Sequence, residues 1–150
     1  MHVLAPKPMH SRIPIFFNID SSVGQNGNNS SPEDVMLVQF FIRVNAQRNT
    51  GNIDRNQLQR MLKVTVDGKC GPMTIDGIRA VQEVRKTRLA ATVVDGRVSP
   101  SRGGYQYGAG VWTIVSLNSG FRSRYPEMWP RIQNHPNCPP LLKQAAERVL

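Results

Sequence analysis

The sequence predicts a mainly α-helical protein. A small three-helix bundle occupies the middle of the chain, preceded by an extended N-terminal arm and followed by a proline-rich extension that ends in a helix. Three observations carry this. Between residues 31 and 88 apolar positions recur at helical spacing in three stretches, each opened by a helix-start signal. Prolines crowd both flanks, at Pro6, Pro8 and Pro14 on one side and at Pro126, Pro130, Pro136, Pro139 and Pro140 on the other, where they interrupt regular structure. Finally, 150 residues at 39% hydrophobic content suffice for one core, but not for packing every residue into it.

Residues 1–29 read as the arm. Ile13-Pro-Ile-Phe-Phe-Asn-Ile19 is too apolar to stand in water, so it is expected to pack on the domain or on another chain. Ile13, Ile15, Phe16 and Phe17, with Trp129 in the C-terminal extension, are its candidate partner contacts. Ser21–Ser30 is a polar Gly/Asn loop. Ser31 then caps a first helix, with Pro32 at its first position and Glu33 and Asp34 at the positive end of the dipole. Its apolar residues (Val35, Leu37, Val38, Phe40, Phe41, Ile42, Val44) form a stripe so wide that burial on more than one side follows. A shorter helix over 54–63 presents Leu58, Met61 and Leu62. Val66-Asp-Gly-Lys-Cys-Gly-Pro-Met-Thr74 makes a tight turn and opens the third helix, which turns Ile75, Ile78, Val81 and Val84 inward. Val94-Asp-Gly-Arg97 repeats the Val-Asp-Gly turn. A Gly/Tyr loop, a helical segment from Trp112 toward Tyr125, and a terminal helix over 141–150 complete the chain. The boundaries are thus 1–29, 30–118 and 119–150.

Charge narrows the partners. Lys and Arg total 19 against 10 Asp and Glu, a net +9. Nine of the cations fall between Arg79 and Arg131 with only Glu83, Asp95 and Glu127 opposing them, a field that attracts anions. No apolar run approaches the ~18 residues of a membrane span. The first ten residues contain no signal-length apolar stretch, so cytoplasmic synthesis without an export signal is expected, with free thiols at Cys70 and Cys138. Catalytic chemistry is sparse. The histidines (His2, His10, His135) are scattered, His135 and Cys138 lack a second ligand pair for zinc, and Asp67, Asp76 and Asp95 form no carboxylate cluster. No phosphate-cradling loop occurs. The expectation is a non-enzyme without cofactor or metal, and nucleic acid is disfavoured because no recognition-helix or stacking-sheet pattern accompanies the basic stretch.

The motifs Ser22-Val-Gly24, Ser31-Pro-Glu-Asp-Val35, Val38-Gln39, Val66-Asp-Gly-x-x-Gly-Pro-x-Thr74, Ile78-Arg-x-Val-Gln82, Asp95-Gly-Arg-Val98, Thr113 and Leu117-Asn118 together resemble the peptidoglycan-binding-domain family over residues 22–118. The resemblance implies a three-helix wall-binding fold in which Asp67, Gly68, Gly71, Pro72, Thr74, Asp95 and Gly96 make the turns. Two departures stand out. Val81 takes the place where the family usually has an aromatic, and the loop between Asp95 and Thr113 is longer, adding Tyr105, Tyr107 and Trp112. Gln39, Arg79, Gln82, Tyr105, Tyr107 and Trp112 are the candidate ligand-binding residues. The combined expectation is a non-catalytic structural or targeting component of a phage tail or tail-like contractile injection apparatus, associated with the particle and held by other protein chains. The alternative is a free cell-wall binding module whose partner is peptidoglycan.

Overall fold

The computed structural model describes residues 1–5, 13–49, 51–102 and 104–150, and it is mostly helical. Helix α1 (Pro32–Gln47) runs through the centre, with eleven of its sixteen residues buried, as its wide apolar stripe demands. Its start follows the sequence signal: the Ser31 hydroxyl accepts the Asp34 amide at 3.2 Å, ahead of Pro32. Helices α2 (Arg55–Leu62), α3 (Pro72–Lys86), α4 (Thr113–Arg124) and α5 (Pro140–Val149) all contact α1. Asp54 caps α2 by accepting the Asn56 amide at 2.8 Å. The α2–α3 pair is clamped at its surface by Arg60, which reaches Asp76 at 2.8 Å and Glu83. It is also held close where Gly77 lets α3 approach Val64: a β-carbon there would stand 2.3 Å from Val64 Cγ2.

Three short antiparallel ribbons decorate the helices, in segments expected as an extended arm, loops and a turn. Strand β1 (His2–Leu4) pairs with β2 (Phe16–Asn18), β3 (Val23–Gly24) with β4 (Arg97–Val98), and β5 (Gln106–Tyr107) with β6 (Gly110–Val111). Two or three residues per strand carry too little alternation to be read from sequence.

Of the two places open to the arm patch, the structure uses the chain's own domain. Ile13, Phe16, Phe17 and Ile19 are at most 3% exposed inside one core that runs from Met1 to Ala146. Asn118 on α4 holds this ribbon like a β-partner, its Oδ1 accepting the Phe17 amide at 2.8 Å and its Nδ2 donating to the Phe17 carbonyl at 2.9 Å. The expectation of Ile13, Phe16 and Phe17 as contacts for another chain is therefore corrected, because their apolar surface is already covered. Ile15 and Trp129 are half-buried, and the Trp129 ring meets Phe17 edge-on at 6.0 Å and lies 6.3 Å from Phe121. Pro6, Pro8 and His10 lie outside the described residues.

Both flanks end on the first turn of α1. The Met1 ammonium pairs with the buried Asp34 at 2.9 Å and with Asp20 at 2.6 Å. Burial pulls the pKa of this ammonium down, yet the two carboxylates outweigh it and hold it above its usual value. From the other flank, Arg148 on α5 reaches Glu33 at 2.7 Å.

Candidate functional site: two glutamine-stapled turns and a cationic pocket

Two of the candidate ligand residues do the same structural job twice. In the turn before α3, the Gln39 carboxamide oxygen accepts the amides of Asp67 (3.0 Å) and Gly68 (2.9 Å). Its nitrogen donates to Asp67 Oδ1, the Lys69 carbonyl and Thr74 Oγ1. In the turn after α3, Gln82 repeats this pattern. Its oxygen accepts from Asp95 (3.1 Å) and Gly96 (2.9 Å), and its nitrogen donates to Asp95 Oδ1, the Arg97 carbonyl and Thr113 Oγ1. Each aspartate also accepts the amide two residues on, from Lys69 and Arg97. Gly68 (φ +76°) and Gly96 (φ +71°) occupy the left-handed region where side-chain-bearing residues are strained. Both glutamines are buried, at 0% and 2% exposure, so their amides face the backbone and not solvent.

Of the remaining candidates, Arg79 and Trp112 border the second turn. Arg79 packs over Gly96, its Nε 2.9 Å from where a β-carbon would stand. Trp112 is half-buried just before α4, and its amide donates to the Tyr105 carbonyl at 3.1 Å. The Tyr105 hydroxyl donates to the Ile13 carbonyl, and its ring lies 5.7 Å from Phe16, so it ties the insertion to the N-terminal ribbon. Tyr107 lies on β5, and its side chain is outside the described residues. Gln39 belongs to the other turn and does not join this group.

An open concavity lies elsewhere, between the C-terminal halves of α1 and α3 and the face of α4. It measures about 480 Å³. Ile42, Met61, Val81, Val84 and Leu117 supply apolar walls, and Arg48, Arg85, Arg88 and Arg124 supply cations. Among the described residues, none of those lining it is acidic. Arg48 is engaged by Glu127 at 2.7 Å and lies 4.0 Å over the Tyr125 ring. Arg124 is held differently: burial, and then the neighbouring Arg88 charge, push its pKa down. Two polar atoms at this pocket, Asn45 Oδ1 and Arg124 Nε, are buried without a hydrogen-bond partner.

These residues were not singled out in the sequence, although two of its features point at them. The basic excess after Arg79 supplies three of the four guanidiniums, and Val81, small where an aromatic is expected, lines the wall. The thiols are elsewhere. Cys70 and Cys138 are free and half-buried, and burial pushes Cys138 up to about 11, far from thiolate reactivity at neutral pH. No family model, no curated protein and no solved structure matches the chain.

Proposed function

We propose that the chain is a non-catalytic domain of peptidoglycan-binding type that serves as a structural or targeting component of a phage tail or tail-like contractile injection apparatus. The observation that supports this reading is the pair of stapled turns. The residues that carry the resemblance (Gln39, Asp67, Gly68 and Thr74, then Gln82, Asp95, Gly96 and Thr113) meet one another in two matching sets. Motif residues that bond to each other in this way hold the fold instead of a ligand, which supports the structural side of this reading. The test is to purify the particles and quantify their proteins by mass spectrometry. The chain is expected at a constant ratio to the tail proteins, and its absence from intact particles rejects the assembly role.

The second reading, a free cell-wall binding module, is favoured by the open pocket with its cationic rim. Sedimentation with purified sacculi at moderate salt tests it. The protein should pellet, and Arg79→Ala and Trp112→Ala report whether the neighbourhood of the second turn takes part. Failure to pellet rejects wall binding.

A further inference from the structure

We propose that the pocket between α1, α3 and α4 binds a single-chain amphipathic anion, a linear alkyl body ending in an oxyanion such as the carboxylate of a fatty acid. This goes beyond both functions proposed above and depends on neither. Two properties of the lining define the ligand, and the first is its walls. Ile42, Ile53, Met61, Val81, Val84 and Leu117 are all aliphatic, and among the described residues no aromatic side chain lines the pocket. Such walls offer no flat face on which a ring system could stack. A thin alkyl chain, by contrast, fits between side chains of this kind and leaves water on doing so. The volume of about 480 Å³ is that of a small-ligand site between helices.

The second property is a charge imbalance. Arg88, just past α3, has its Nη2 3.7 Å from where a β-carbon on Gly51 would stand. Arg124, at the end of α4, has its Nη1 3.1 Å from where one on Gly120 would stand, and it donates to the Gly120 carbonyl. Gly51 and Gly120 both belong to the lining, so both guanidiniums stand beside the pocket. Among the described residues neither arginine has a carboxylate partner, whereas Arg48 is neutralised by Glu127 and anchored to the Arg124 carbonyl at 2.7 Å. Burial, then the Arg88 charge, already disfavours the charged form of Arg124. An oxyanion beside both cancels that repulsion and accepts charge-assisted hydrogen bonds from planar donors. Inorganic phosphate would leave the aliphatic walls wet, and a neutral alcohol would leave the arginines unanswered. Two sources carry head and chain together: a free fatty acid and a monoalkyl phosphate.

The test is calorimetric titration of the full chain with hexanoate, octanoate and decanoate below their micelle concentrations, beside octyl phosphate and 1-octanol. The acids are expected to bind, with affinity rising about fourfold for each methylene that enters the pocket. Preference for octanoate over octyl phosphate assigns a free fatty acid, and the reverse assigns a phosphate-headed chain. 1-Octanol is expected to bind about tenfold or more weakly than octanoate, and Arg88→Gln to weaken octanoate by a similar factor, as loss of a charged hydrogen-bond partner does. Arg88 is exposed, so this variant is expected to keep the fold. Arg55→Gln, equally exposed and outside the pocket, matches its change in net charge and should bind as the parent does. No binding of any chain, affinity that ignores chain length, equal binding of octanoate and 1-octanol, or equal loss in both arginine variants would each overturn the proposal. Displacement of octanoate by poly-L-glutamate would overturn it too, by giving the arginines to an acidic protein segment.

Discussion

Replacing Gln82 by leucine keeps its approximate volume and removes both halves of the staple at once. The amides of Asp95 and Gly96 lose their acceptor, and three acceptors lose their donor. A buried backbone N–H left without a partner costs about 1–3 kcal/mol, so a loss of about 2–4 kcal/mol is expected in urea unfolding. A loss under about 1 kcal/mol would show that water replaces the amide freely. Gln39→Leu should behave alike, and the pair should add, since their networks share no atom. His135 gives a prediction of a different kind. Its ring stands edge-on to Phe40 at 5.4 Å and to Tyr125 at 4.9 Å, with Nδ1 accepting the Asn137 amide at 3.1 Å. Burial, with help from the Arg48 charge, holds its pKa below the ordinary value. The unfolded chain therefore takes up the proton first. Stability is full above about pH 6.5 and falls as the pH drops from there toward the lower folded value. The melting temperature should be lower at about pH 5.5 than at about pH 7.5, and His135→Gln should flatten that slope. Equal melting temperatures for the parent at both values would refute the assignment.

At the scale of elements, helix starts were the most legible part of the sequence, because capping is local chemistry. Ser31-Pro32, Asp54 and Gly71-Pro72 each open a helix within a residue or so of where the sequence puts it. The ribbons were illegible for the opposite reason: Val23 meets Val98 and Leu4 meets Phe16 through tertiary pairing that no local pattern announces. The glutamines show the same limit within a site. Their type and helical spacing were visible, but whether a carboxamide faces solvent or a turn depends on a partner 28 residues away for Gln39 and 13 for Gln82. Gly77 shows that contact overrides propensity. Alanine in a helix interior normally gains up to ~1 kcal/mol over glycine. Here the added carbon would collide with Val64, so Gly77→Ala should instead destabilise by about 1–3 kcal/mol, as overpacking does. A more stable variant in thermal melts would mean that the segment following α2, around Val64, yields easily.

For the whole molecule, one continuous core sets the expected behaviour. Apolar side chains from the N-terminal ribbon, all five helices and the 3-10 turn at Ile132–Asn134 belong to a single cluster. Unfolding should accordingly be one cooperative step, with far-ultraviolet dichroism and tryptophan fluorescence tracing the same urea transition. Trp129 sits on the extension and Trp112 ahead of α4, so separated curves would reveal a flank that melts alone and return the 1–29 and 119–150 segments to independence. The sequence showed that these flanks contain sticky residues. It could not show that the stickiness is satisfied internally, because Phe17 finds Asn118 across a separation of 101 residues.

Met1 on Asp34 and Arg148 on Glu33 place the two extremities of the described polypeptide beside each other over a single helical turn. One turn of α1 thus serves as a shared buckle for both flanks. Glu33→Gln together with Asp34→Asn would unbuckle that one turn and loosen both flanks at once, since Asp34 also accepts the Asp20 and Ser21 amides.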